Sequence, residues 1–214
     1  MSIIDNGIGI YTGSVSVFED PALYDSVYSL VSDDRRRSTD RKRMPADKRR
    51  SLAAEALLMR ACSEYGVDYA SAHFARNENG KPFFTDIPVY YNLSHSADRV
   101  MCAVSRSPVG CDVEKIRKVS DSIAARFYHP EEAALLDGIE DISERERLFF
   151  RIWTLKESFV KCIGDGFGIP FESFCVVPEE NGWRVKTDIP GRYSLYEYDC
   201  GDSEYMYSYC SKEE

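Results

Sequence analysis

The sequence has little of what marks membrane, secreted or soft-metal proteins. No apolar run approaches the roughly 18 residues that a membrane helix needs, so no membrane span is expected. The opening segment MSIIDNGIGIYTGSVSV lacks a basic stretch followed by an apolar core and a small-residue cleavage site, which argues against a secretion signal. The seven cysteines are scattered, odd in number and without a CxxC pair. That pattern argues against a disulfide framework or a zinc site and for a reducing, cytoplasmic setting. With only three histidines, no Cys/His cluster competes for a softer metal. There is no convincing internal repeat and no low-complexity tract.

What is present suffices for a full core. The 214 residues are 43% hydrophobic and 13% aromatic, enough for one large domain or two small ones. The net charge of −9 is unevenly spread: Ser32 to Arg50 holds nine Lys/Arg against four Asp/Glu, so the rest of the chain is strongly acidic. A basic island on an acidic protein is either a site for an anionic ligand or a solvated, arginine-rich helix. A general nucleic-acid binder would be basic over a whole face, and this chain is not.

Periodicity suggests an opening strand over residues 7–18. A short helix follows, with Asp20 as N-cap, Pro21 at its first position and an apolar stripe at Leu23, Val27 and Leu30. ADKRRSLAAEALLMRACSEYGV reads as a strong helix, with Leu52, Ala56, Met59 and Cys62 on one face and Gly66 as its stop. VYYNLSHS and RVMCAVS read as paired strands, and RSPVG as a joint between halves 1–106 and 107–214. In the second half, VGCDVEKI is a strand and HPEEAALLDGI a short helix. SERERLFFRIWTLKESFVKCIG is the longest helix, with a Ser143–Glu146 capping box, a stripe at Leu148, Ile152, Leu155 and Phe159, and Gly164 as its stop. Four strand-like segments close the chain. Helices and strands in both halves point to an α+β (mixed α/β) fold.

Asp112 and Glu114 stand two apart on the strand VGCDVEKI, so both point to one face with apolar residues behind them. Like charges that close repel and resist desolvation. On the long helix, Glu157 sits one turn before Lys161 and away from the apolar stripe. Taken alone, these are two solvated carboxylates and an ordinary i,i+4 pair, the latter worth about 0.2–0.5 kcal/mol. Taken together, three carboxylates from two elements suit Mg²⁺, a hard cation that takes a few carboxylates plus waters and substrate phosphates.

These residues resemble a known family. GCDVEKI followed about forty residues later by FFRIWTLKESFVKCIGDGF is similar to the signature of the 4′-phosphopantetheinyl transferases, (V/I)G(C/I)D(V/I)E, a gap, then WxxKE(A/S)xxK. NGKPFF and YNLSHS also match upstream elements, most closely in the surfactin-type branch, a single chain of two similar halves. The resemblance implies two subdomains, each a small sheet against a long helix, with the active site in the cleft between them. It implies transfer of the phosphopantetheine arm of coenzyme A to a serine of an apo acyl or peptidyl carrier protein, with Mg²⁺, releasing adenosine 3′,5′-bisphosphate. A cytoplasmic monomer without nucleic-acid or membrane partners is expected.

Carried over by position, the resemblance makes Asp112, Glu114 and Glu157 the Mg²⁺ ligands and Glu157, Lys161 and Glu114 the catalytic groups. It gives Ser94 and His95 the 3′-phosphate, and places Lys81, Lys156, Arg35, Arg43 and Ser51 among the groups that bind coenzyme A. Residues 119–136 would dock the carrier. The sequence departs from the family where Ser38 stands in place of a second lysine, with Arg36 and Arg37 beside it. Glu132 matches a position that some members use for stability or catalysis. The rival readings are another Mg²⁺-dependent phosphotransferase and an inactive coenzyme A- or carrier-binding module. His73, His129 and Trp153 read as packing residues.

Overall fold

The computed structural model describes residues 2–213 apart from 6, 120–122, 124–126, 165–167 and 181. The chain forms two compact units, one of Met1–Ala75 with Pro82–Arg106 and the other of Arg76–Lys81 with Ser107–Glu214. Among the described residues, no helix is long and apolar enough to cross a membrane.

The first unit is built on an antiparallel sheet in the order β1 (Ser2–Asp5), β2 (Ile8–Ser14), β6 (Arg99–Ser105), β5 (Tyr90–Ser96). The expected strand over 7–18 ends at Ser14 and gives way to a 3-10 turn at Ser16–Glu19. Helix α3 (Pro45–Glu64) packs on the sheet through Leu52, Leu58, Ala61 and Cys62. Pro45 opens it and Gly66, at φ +69°, follows its end. Its buried face differs from the expected stripe: Ala56 and Met59 are half-buried, while Glu55 and Leu58 turn inward. Helix α1 (Pro21–Leu30) begins as its sequence suggests, with Asp20 accepting from Ala22 N at 2.9 Å. Of its stripe only Val27 holds: Leu23 and Leu30 are exposed, and Tyr24 and Tyr28 face the core instead. The tyrosines can pack their rings while keeping their hydroxyls wet, as Tyr28 does toward Asp40 at 2.9 Å. The basic island forms a short helix, α2 (Asp33–Asp40), capped by Ser32 and carrying Asp33 and Asp34 in its first turn.

The second unit is a five-stranded antiparallel sheet in the order β7 (Val109–Lys115), β11 (Tyr205–Lys212), β10 (Tyr193–Glu197), β9 (Gly182–Lys186), β8 (Cys175–Glu179). A short hairpin, β3 (Phe74–Arg76) and β4 (Pro82–Phe84), packs Phe74 and Phe84 into the core of the first unit. Helix α4 (Pro130–Asp137) is closed by a capping box between His129 and Glu132. Helix α5 (Ile142–Ile163) lies over β7 and β11. Its cap is Asp141, which accepts from Glu144 N at 2.8 Å, not the expected Ser143. A carboxylate is the better cap at the positive end of the dipole, so the helix starts earlier. Gly164 ends it at φ +87°. The core holds Phe150, Ile152, Leu155 and Phe159 of α5 with Phe174, Val176, Leu195, Met206 and Cys210 of the sheet side. Trp153 packs as expected, stacked on Phe149 and tilted against Phe171.

Helix and strand meet most closely at Gly110. A Cβ there would stand 2.1 Å from Ser158 O and 2.3 Å from Cys162 N, both backbone atoms of α5. No side chain can yield, so the helix itself would have to lift. Gly110→Ala is expected to cost roughly 3 kcal/mol, the upper part of the overpacking range, read as a lowered urea midpoint at unchanged m-value. A loss well under 1 kcal/mol would mean the helix is not seated this closely.

Candidate active site

Residues alternate faces along β7. Because Gly110 faces α5, Asp112 and Glu114 face it too, opposite Ser208 and Met206 of β11 in the strand register. Cys111 and Val113 point to the other face and are fully buried. From α5, Glu157 and Lys161 come down on this carboxylate pair. Lys161 Nζ lies 2.5 Å from Asp112 Oδ1 and 3.8 Å from Glu157 Oε2. Asp112 is buried at 3% exposure, while Glu157 and Glu114 keep an open edge. Arg117 approaches Glu114 Oε2 at 3.3 Å and lies over the Phe150 ring, a contact that no motif announced.

Their charges act on one another. Burial raises the pKa of Glu157; Lys161 opposes this, and the charges of Asp112 and Glu114 push it up further. Burial works against the charge of Lys161, but Asp112 and Glu157 outweigh it, and its pKa is raised. The donor set is oxygen only and comes from a strand and a helix, which fits a hard divalent cation. The carboxylate oxygens are not drawn into one tight cluster: among the described residues, the group whose ligand atoms all lie within 4.8 Å of one another is His129, Glu131 and Cys175. At the carboxylates the ammonium of Lys161 supplies the positive charge.

Three side chains expected at the ligand have partners inside the fold. Lys156 is wholly buried, and its ammonium contacts Glu132 Oε1 and Oε2 at 2.6 and 2.8 Å and Phe174 O at 2.6 Å. Its three protons are used, so it has none left for coenzyme A. Burial lowers its pKa against the pull of Glu132. Lys81 donates to Val109 O at 3.1 Å, Lys161 O and Cys162 O, tying β7 to the last turn of α5. Ser51 is buried and shares a 3.0 Å hydrogen bond with Thr39. The remaining nucleotide-side candidates belong to the first unit. Ser94 and His95 are neighbours on β5, so their side chains take opposite faces: Ser94 is buried and His95 exposed. Arg35 pairs with buried Glu55 at 2.7 Å, and Arg43 is exposed.

A profile described as the 4′-phosphopantetheinyl transferase superfamily matches residues 108–210, which contain both carboxylate elements. A 4′-phosphopantetheinyl transferase of Bacillus subtilis is 32% identical over 87% of this chain and 84% of its own. The 4′-phosphopantetheinyl transferase Sfp of B. subtilis strain 168 is 33% identical over 81% of this chain and 80% of its own. The chain belongs to the 4′-phosphopantetheinyl transferase superfamily. It is an enzyme of the surfactin-type branch, α+β in fold with two subdomains. Among solved structures, a holo-(acyl-carrier-protein) synthase from Bacillus anthracis in complex with CoA (3′,5′-ADP) aligns with a TM-score of 0.45 at 18% identity, covering 50% of this chain and 95% of that one.

In this transferase the buried Lys156–Glu132 pair also anchors β8, since Glu132 Oε1 accepts from Val176 N at 2.7 Å. Removing one partner of such a pair strands a buried charge. Glu132→Ala is expected to destabilise the enzyme by roughly 3–5 kcal/mol. Glu132→Leu combined with Lys156→Met is expected to recover most of that loss in urea unfolding. A single variant as stable as wild type would show that the pair does not anchor the fold.

Proposed function

We propose that the enzyme transfers the 4′-phosphopantetheine arm of coenzyme A to a serine of an apo acyl or peptidyl carrier protein and releases adenosine 3′,5′-bisphosphate. The observation that carries this reading is the convergence of Asp112, Glu114, Glu157 and Lys161 from β7 and α5, in a chain of this superfamily. Asp112, Glu114 and Glu157 would hold Mg²⁺. When bound, Mg²⁺ neutralises the pyrophosphate of coenzyme A and so favours displacement at phosphorus.

The rest of the chemistry belongs to the chain. Phosphoryl transfer needs positioning and charge stabilisation more than covalent catalysis. Lys161 Nζ, which contacts Asp112 and Glu157, would donate to an oxygen of the phosphate that is attacked. Glu157 takes the proton of the carrier serine at a carboxylate oxygen, directly or through water, with Glu114 as the alternative acceptor. The serine oxygen bonds to the β-phosphorus, and the bond from that phosphorus to the bridging oxygen of the leaving bisphosphate breaks. His95 and Arg43, exposed on the first unit, are proposed for nucleotide phosphates together with Arg35, which pairs with Glu55. The proposed docking stretch 119–136 lies partly outside the described residues; within the described part, Ile123, Phe127 and Leu135 expose apolar side chains.

Intact-protein mass spectrometry tests the reading. An apo carrier incubated with coenzyme A and Mg²⁺ is expected to gain about 340 Da, the transferred arm in a group transfer of this type. Chelation of Mg²⁺ is expected to stop the gain. No mass shift across a panel of fatty-acid, polyketide and peptide carriers would refute it and favour an inactive binding module. Asp112→Asn is expected to lower kcat/KM by at least about 10²-fold, the scale of losing one charge-stabilising group, with an unchanged circular dichroism spectrum. His95→Ala is expected to raise KM for coenzyme A more than it lowers kcat. If Asp112→Asn keeps most of its Mg²⁺-dependent activity, the metal assignment is wrong.

A further inference from the structure

A second set of metal-ligating side chains stands at the start of α4 and of β8, elements that carry none of the proposed Mg²⁺ ligands. A ring nitrogen of His129, a carboxylate oxygen of Glu131 and Sγ of Cys175 all lie within 4.8 Å of one another. We propose that His129, Glu131 and Cys175 form a binding site for a borderline divalent cation of the zinc class, separate from the carboxylates of β7 and α5. One sulfur, one imidazole nitrogen and one carboxylate oxygen is a set that Zn²⁺ accepts and Mg²⁺ does not. Three protein ligands leave a fourth tetrahedral position for water. A thiolate and a carboxylate offset the two charges of the ion, so the bound site is neutral.

The surroundings suit such a site. Cys175 is buried at 2% exposure, His129 is half-buried and Glu131 is exposed, which gives a fixed floor and an open mouth for entry. The spacing is held from behind: Glu132, adjacent to Glu131, accepts from Val176 N, adjacent to Cys175, and is itself pinned by Lys156. This buried anchor keeps the start of α4 and the start of β8 at a set separation, as outer partners of a metal site do. In a tetrahedral site with bonds of about 2.0–2.3 Å, ligand atoms stand roughly 3.5 Å apart, a distance that small side-chain rotations reach.

Binding makes three exchanges. The thiol of Cys175 gives its proton to water. A ring nitrogen of His129 binds the metal; if it is Nδ1, it gives up a long 3.3 Å hydrogen bond from Glu131 N. Glu131 leaves Lys186, whose Nζ lies 2.6 Å from Glu131 Oε2. Lys186 is thus a built-in competitor for the ion.

Co²⁺ is a spectroscopic stand-in for Zn²⁺ and tests the site in the full chain with Mg²⁺ in excess. A thiolate-to-cobalt charge-transfer band is expected to grow to saturation at one equivalent and to be bleached by Zn²⁺. Cys175→Ser is expected to abolish it, and Cys200→Ser, at a half-buried thiol elsewhere, to leave it intact. Lys186→Met, at an exposed side chain that leaves the core untouched, is expected to tighten the apparent Kd several-fold. Absence of the band in the wild-type chain, its persistence in Cys175→Ser, or an unchanged Kd in Lys186→Met would each overturn the three-residue assignment.

Discussion

The second unit depends on the seating of α5 against β7 at a position with no side chain. At Gly110 the backbones approach so closely that an added methyl would overlap the carbonyl of Ser158. This contact sets the height of the helix over the strand. Two positions along the same face of β7 it leaves Asp112 and Glu114 beneath Glu157 and Lys161, so the glycine and the carboxylates of VGCDVEKI are parts of one geometry. Lys81 reinforces it by bonding to Val109 O on the strand and to Lys161 O and Cys162 O on the helix. The last carbonyls of a helix are orphaned acceptors at its negative end. The half-buried ammonium of Lys81 is well placed there and locks the backbone that carries Lys161.

Two lysines of the same helix show how exposure decides a role. Lys156 and Lys161 each face an acidic partner at about hydrogen-bond distance. Lys156 has no exposure, and two oxygens of Glu132 and one carbonyl use all its protons. Such a group can anchor but cannot meet a ligand. Lys161 keeps 29% of its side chain exposed and has a carboxylate on either side, at 2.5 and 3.8 Å. It compensates buried negative charge and still has an open approach. The motif WTLKESFVK contains both residues, and chain spacing alone gives them equal standing.

That difference marks what the sequence could reveal. The carboxylate site was legible because it follows from two local periods, two residues along a strand and four along a helix. The element types and the positions of Pro21, Gly66 and Gly164 were legible for the same reason. The partners that Lys81, Ser51 and Lys156 take inside the fold, the end of α5, Thr39 and Glu132, were not legible because they lie far away in sequence. The stripe of α1 held only at Val27 because tyrosines competed with leucines for the inner face. Scattered cysteines without a paired motif argued against a zinc site, yet His129, Glu131 and Cys175 converge across 46 residues of chain only through the pairing of α4 with β8. A spacing rule sees ligands on one turn or one hairpin and is silent on sites assembled by packing.

The basic island shows the same principle acting on charge. Read as a sum, Ser32 to Arg50 is a strongly positive surface. In the fold, Arg35 is paired with Glu55, Arg36 with Asp33, Arg37 with Asp34, Arg49 with Glu19 and Arg50 with Asp47. The helical i,i+3 pairs among these are worth little for stability, but they cancel the field that an incoming phosphate would feel. Arg41, Lys42 and Arg43, in the turn between α2 and α3, have no such pair among the described residues, and Arg41 and Arg43 are exposed. Attraction for an anion is therefore concentrated on that turn rather than on the helix before it. Arg43 is exposed on that turn, while Arg35, held by a buried carboxylate, holds α2 against α3.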